Sequence, residues 1–288
     1  MNRRVAVGGV ALAALITAAT AGCGSDQPPP SAPAPALAVG AAPTSESKLL
    51  AHLYSAALGY FGIPTRVHLV PDPVAALDSA DVTVAPGLTG ELLTRFVPHA
   101  TARADEQVYR SMISALPEGV AAADYTASAQ DKPAVAVTAA TADHWGTRDV
   151  AALPGHCAGL SVGVVAGAAH PARVGDCVLP PAREFKDTAS LFAALKTGAV
   201  TLAWTSTAAQ AAPSGVTVLT DRTALIRAEN VVPLYRRNVL GEQQVLALNG
   251  IAGELDTATL TDLIGQVDKG ADPAAVAGAW LAQHPLDH

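Results

Sequence analysis

Asp81-Val82-Thr83-Val84-Ala85-Pro86-Gly87-Leu88-Thr89-Gly90 is the stretch that decides the fold class. Asp81 to Ala85 is short, apolar and β-branched, which predicts a strand. Pro86-Gly87 ends it, and Thr89-Gly90 starts a helix that runs through Phe96. Upstream, Thr65 to Val70 alternates like a strand, and a short helix is expected near Pro73 to Asp78. Ser45 opens a longer helix, with Glu46 in its first turn and Leu50, Leu53, Ala57 and Phe61 at helical spacing. Gly62-Ile63-Pro64 stops that helix. The order helix, strand, helix, strand, helix argues for an α/β protein.

The same alternation continues downstream. A helix is expected over Asp105 to Leu116, then strands over Ala134 to Thr138 and Leu160 to Val165. Thr188 to Thr197 reads as a helix with Leu191, Phe192 and Leu195 inward and Gly198 as its C-terminal cap. Val200 to Trp204, Val216 to Leu219 and Val231 to Tyr235 read as strands. Helices over Glu242 to Asn249, Thr257 to Val267 and Ala274 to Gln283 close the chain, with no internal repeat.

Composition limits the possible functions. The 288 residues are 50% hydrophobic and 15% charged, with a net charge of −7. That is too apolar for a disordered chain. Beyond residue 23 no uncharged apolar run reaches the ~18 residues of a membrane span. The acidic balance argues against a nucleic-acid binder, which needs clustered Lys and Arg.

The N-terminus reads as a targeting segment. Arg3 and Arg4 precede an apolar stretch from Val5 to Ala19. Thr20-Ala21-Gly22-Cys23 then resembles the lipobox of bacterial lipoproteins. By that resemblance residues 1–22 are a signal peptide and Cys23 carries lipid; the alternative is an ordinary signal peptide with an incidental cysteine. Six prolines in the twenty residues Gly24 to Pro43 mark residues 23–43 as a semi-extended tether of up to roughly 60 Å. The folded part then sits in the cell envelope, held to the outer face of the plasma membrane. An exported chain meets an oxidising compartment, so Cys157 and Cys177 read as a disulfide, stabilising by roughly 3 kcal/mol. A metal site using His156 and His170 fits no standard zinc spacing.

Several segments carry a family resemblance. Glu46-Ser47-Lys48-Leu49-Leu50-Ala51-His52-Leu53-Tyr54, then Gly62, is similar to the opening helix of substrate-binding proteins of glycine betaine/choline ABC transporters. Thr89-Gly90 resembles the end of that family's Pro-Glu-Tyr-Thr-Gly turn. Phe185-Lys186-Asp187 through Leu195-Lys196-Thr197-Gly198 resembles its Leu-rich helix, and Asn230-Val231-Val232-Pro233-Leu234 its return strand. Ala247-Leu248-Asn249, Leu260-Thr261 and Val276 to Leu281 resemble its C-terminal helices.

The resemblance covers about residues 44–286 and implies a two-lobed periplasmic-binding-protein-like fold of type II. Residues 44–130 and 226–288 would form one lobe and 131–225 the other, joined by crossings at Gln130-Asp131-Lys132-Pro133 and Thr220 to Asn230. A small-molecule solute would bind in the cleft by hinge closure, for delivery to an ABC permease. The expected state is a monomer, with no cofactor and no catalysis. The alternative is an envelope lipoprotein of the same fold that acts as a sensor or partner-binding module.

A quaternary ammonium is held by aromatic faces, and a carboxylate on the same ligand by hydroxyls or helix N-termini. Of the 12 aromatic residues, Trp204, Tyr125 and Trp145 are the candidates for a cage, with packing at the lobe interface as the alternative for each. Trp204 ends a strand and precedes Thr205-Ser206-Thr207, hydroxyls at an expected strand-to-helix turn. Thr205, Thr89, Ser45 and Glu46 complete the candidate ligand set, with helix capping as the alternative for Thr89, Ser45 and Glu46. Leu88 stands where the family turn has Tyr, which argues against glycine betaine itself. Gly159-Leu160-Ser161-Val162-Gly163 matches the hydrolase pattern G-x-S-x-G. That chemistry needs Ser161 on a turn from strand to helix, whereas it reads as lying inside the strand from Leu160 to Val165.

Overall fold

A computed structural model describes residues 35–286. The signal peptide, Cys23 and most of the tether lie outside the described residues. The first lobe opens with β1 (Leu37–Ala41), α1 (Ser45–Tyr60), β2 (Thr65–Leu69), α2 (Pro73–Asp78), β3 (Val84–Leu88), α3 (Thr89–Phe96), α4 (Asp105–Ser114) and β4 (Val120–Ala122). The chain then enters a second lobe with β5 (Pro133–Thr138), α5 (Ala139–Trp145), β6 (Val162–Val165), β7 (Arg173–Val174), β8 (Cys177–Val178), β9 (Arg183–Phe185), α6 (Thr188–Lys196), β10 (Leu202–Ser206) and β11 (Val216–Val218). It returns to the first lobe with β12 (Val231–Arg236), α7 (Glu242–Glu254), α8 (Thr257–Asp268) and α9 (Pro273–Gln283).

Each lobe is built on a five-stranded sheet, ordered β2-β1-β3-β12-β4 and β11-β5-β10-β6-β9. In the first, β1 runs parallel to β2 and β3, and β12 lies antiparallel to β3 with Val231 opposite Leu88. Helix starts follow local chemistry. Asp72, Asp187, Asp256 and Asp272 each accept a backbone N–H of the first turn, and Pro73 and Pro273 sit where no N–H is needed. Thr44, not Ser45, caps α1, by accepting from the N–H of Ser47.

One face of the first sheet packs Leu49, Leu53 and Tyr54 of α1 against Leu248, Leu260 and Trp280 of the C-terminal helices. The other face buries Leu77, Leu93, Val108 and Met112 from α2, α3 and α4. The second lobe has its own cores, one around Val135, Leu202 and Trp204, another around Leu191, Phe192 and Leu195.

β1 corrects the expected extent of the tether. Leu37–Ala41 lies inside the range 23–43, yet it pairs on both sides, with Val39 and Ala41 fully buried. A strand covered on both faces is a continuous apolar run without alternation, and five such residues directly after prolines carry no periodicity to read. Ser161 lies just before β6, where its Oγ accepts from the N–H of Thr201 and its N–H donates to Thr201 Oγ1. It ties two strands together, and a strand rather than a helix follows it.

Candidate functional site

The order β2-β1-β3 makes a crevice beyond the carboxyl ends of β1 and β3, where connections leave in opposite directions. Open α/β sheets bind ligands at such switch points. A cavity of about 480 Å³ lies there, walled by Thr44, Glu46, Leu88, Glu91 and the Asp72–Arg95 ion pair. Glu46 sits in the first turn of α1, where a carboxylate normally gains from the helix dipole. Here burial dominates, and with the charges of Asp131, Glu91 and Glu229 it pushes the Glu46 carboxyl up to about 8. Its Oε1 is closed off from solvent and accepts no hydrogen bond. Burial and Asp131 also raise Glu91.

Glu229 reaches this acidic corner from the returning crossover. Its Oε2 accepts from the N–H of Glu91 at 2.7 Å, which caps α3 in place of Leu88. Burial pushes Glu229 up to about 8, with Glu91 adding to the rise while the N–H groups of Glu91 and Gly90 and the charge of Arg227 oppose it. Next to it, Thr89 Oγ1 accepts from the N–H of Asn230 at 3.0 Å, and the N–H of Thr89 donates to the Asn230 carbonyl at 2.9 Å. Thr89 and Asn230 are both fully buried. Gly90 is required at this latch, because a Cβ there would stand 2.5 Å from the Ala228 carbonyl oxygen. The Thr89-Gly90 pair therefore fastens the crossover to the first lobe.

The crossovers lie side by side. Gln130 and Asn230 form an antiparallel bridge, and the N–H of Asp131 donates to the Glu229 carbonyl. Lys132 pairs with Asp221 at 3.1 Å, both largely buried, and Asp221 also accepts from the N–H groups of Leu225 and Ile226. Thr207 Oγ1 accepts from the N–H of Lys132 and donates to the Gln130 carbonyl.

A larger cavity, about 970 Å³, opens between the lobes. Glu91, Thr94 and Arg103 line it from the first lobe, His170 and Arg173 from the second, and Glu229 from the crossover. His170 and Arg173 belong to the segment closed by the disulfide of Cys157 and Cys177, whose Cα atoms are 5.5 Å apart. The two cavities share Glu91 and Arg95.

The expected aromatic cage is not assembled on these walls, neither of which includes a Phe, Tyr or Trp among its lining residues. Trp204 is 2% exposed and packs in the core of the second lobe, with the His170 ring 6.0 Å away. Tyr125 lies against Tyr109 beside α4, at 4.5 Å between ring centroids. Trp145 stacks on His156 at 4.7 Å, next to the disulfide. Thr205 opens on a third cavity with Lys132 and Asp221, and a turn rather than a helix follows β10. Ser45 is the first residue of α1, half-buried beside Glu46. Of the seven candidates, only Glu46 lies on the wall of the crevice. Glu91 and Glu229 escaped the sequence reading. Glu91 directly follows the Thr-Gly pair, which was a usable signal; Glu229 is brought in by a contact 138 residues away in the chain.

Among the described residues, no group of His, Cys, Asp and Glu is placed to hold a metal ion, and no helix is long and apolar enough to cross a membrane.

Comparison with known proteins agrees with this architecture. Solved structures of the same fold include a glycine betaine/carnitine/choline ABC transporter protein, at 18% identity and a TM-score of 0.69 over 86% of this chain and 98% of that one. Apo YehZ from Escherichia coli matches at 20% identity and a TM-score of 0.66, over 88% and 99%. A choline-binding protein in complex with choline matches at 16% and 0.52, over 87% and 89%. No curated protein sequence matches the chain. Residues 35–283 match the substrate-binding domain of the ABC-type glycine betaine transport system. The chain therefore belongs to that family, has its two-lobed type II fold, and is the solute-binding protein of an ABC importer.

Proposed function

We propose that the protein captures a small polar solute of cationic character outside the cytoplasm and delivers it to a membrane permease. Lobes of residues 44–130 with 226–288, and of 131–225, close on the solute by hinge motion about the paired crossovers. Lipid on Cys23 holds the protein, as a monomer, at the outer face of the membrane. The observation that carries this reading is the cavity lined from both lobes and from the crossover between them, which shares Glu91 and Arg95 with the crevice at the ends of β1 and β3. Its corner of carboxyls, Glu46, Glu91 and Glu229, supports a cationic solute, which a carboxyl held protonated in the free protein can pair with by giving up its proton. Leu88, buried at the end of β3, supplies no aromatic face, so glycine betaine should bind weakly. A thermal-shift screen of cationic, zwitterionic, neutral and anionic solutes tests the reading. Cations should raise the melting temperature, with binding confirmed by calorimetry. A full panel without one saturable ligand would overturn it.

A further inference from the structure

Glu46 lines the crevice and carries a buried carboxyl oxygen without a hydrogen-bond partner, and that carboxyl specifies the chemistry of its ligand. We infer that Glu46 anchors a solute cation bearing N–H donors, a primary or secondary ammonium or a guanidinium, and that this cation displaces a proton from the Glu46 carboxyl as it binds. The inference rests on the reading of the chain as a solute-binding protein, and names the class of solute.

Leaving a buried acceptor unpaired is costly, and Oε1 of Glu46 is such an acceptor, on a side chain that belongs to the cavity lining. A quaternary ammonium offers no N–H. It would need aromatic faces instead, and the lining residues of both cavities include none from Phe, Tyr or Trp. An N–H-bearing cation satisfies the oxygen and the charge together, as a charge-assisted hydrogen bond. A metal ion is the wrong guest, because no suitable ligand group exists among the described residues.

The charged groups around Glu46 leave the position open. Asp131 and Glu229 approach from the two crossovers and Glu91 from α3, all acidic. The cation on the same wall, Arg95, is held by Asp72 at 2.8 Å. Arg227 is held by Thr94 Oγ1 and the carbonyls of Ala100 and Ala102. Glu229 is itself occupied as the cap of α3. In the free protein at neutral pH, burial and these acids keep Glu46 protonated. The step balances as Glu46–COOH plus R–NH₃⁺ giving Glu46–COO⁻ paired with ⁺H₃N–R, and one proton to water.

The test is calorimetry on the intact protein with ethanolamine, N-methylethanolamine, N,N-dimethylethanolamine and choline, which carry three, two, one and no N–H donors on the same ammonium body. Agmatine supplies a guanidinium, and glycine betaine and uncharged solutes complete the set. Affinity should fall along the series, by tenfold or more from ethanolamine to choline, or agmatine should bind with choline failing. At pH 6.5, buffers of different ionisation enthalpy should report release of close to one proton, vanishing above pH 9. Glu46→Gln keeps the side-chain shape and removes the titrating proton. It should stay folded by circular dichroism, lose tenfold or more in affinity and release no proton. Choline or betaine binding as tightly as the N–H cations, or Glu46→Gln leaving affinity and proton release unchanged, would overturn the inference while sparing the solute-binding reading. Binding confined to uncharged solutes would do the same. Absence of any binding across the set would sink both.

Discussion

Replacing Gly90 by alanine tests the latch between crossover and first lobe. In most helices such a change stabilises by up to about 1 kcal/mol, because glycine loses more backbone entropy on folding. Here the new Cβ would lie 2.5 Å from the Ala228 carbonyl oxygen and 2.6 Å from the Glu229 carboxyl carbon. The first is backbone and cannot swing aside. Overpacking of this kind costs about 1–3 kcal/mol. Displacing Glu229 from the N–H of Glu91 adds about 1–2 kcal/mol. The sum, about 2–5 kcal/mol, should lower the melting temperature by roughly 4–20 °C for a chain of this size. Gly278→Ala is the internal control, since that helical glycine is exposed and a Cβ would meet nothing within 4 Å. It should melt at or slightly above the wild-type temperature. Differential scanning calorimetry of the three proteins decides the matter. Gly90→Ala melting with or above Gly278→Ala would refute the latch.

Other consequences follow from the same geometry. Reducing the bond between Cys157 and Cys177 should destabilise the second lobe by roughly 3 kcal/mol, read as loss of hydrogen-exchange protection around β7 and β8 with the first lobe unaffected. Trp204→Ala should cost about 3–5 kcal/mol of stability as a core truncation, measured by denaturant titration; full stability with weakened solute binding would return Trp204 to the cage. Glu46 and Glu229 are raised from 4.5 to about 8 in the folded state, so the unfolded chain gives up these protons first. Stability should therefore decline from about pH 4.5 to pH 8, by up to about 1.4 kcal/mol per pH unit for each group. Glu46→Gln should flatten that slope, and denaturant melts between pH 5 and 9 that show stability rising with pH would contradict the assignment.

The parts legible in the sequence are those where one residue pattern answers to one physical demand. The helical spacing of Leu50, Leu53 and Ala57 could only face a core, and the structure buries Leu50 and Leu53 there. β1 was hidden because a strand buried on both faces has no alternation. Trp204, open in the sequence between ligand contact and packing, is more instructive. In a strand alternate residues share a face, and Leu202 and Trp204 share one core while Ala203 lies in the other. That alternation already pointed Trp204 inward, whereas its place near the strand end suggested a ligand. Glu46 could be read as a site residue from its position at a helix start. The convergence of Glu91 and Glu229 on it could not, because it depends on how the returning crossover packs against α3.

The most direct test of the account is a crystal structure of the protein with the solute that gives the largest thermal shift. The solute should lie in the crevice beyond β1 and β3, its cationic head donating to Oε1 of Glu46 and its body reaching Glu91 and the second lobe. A solute seated elsewhere, in the cavity beside Lys132 and Asp221 for example, or in the crevice with Oε1 of Glu46 still unpaired, would contradict it.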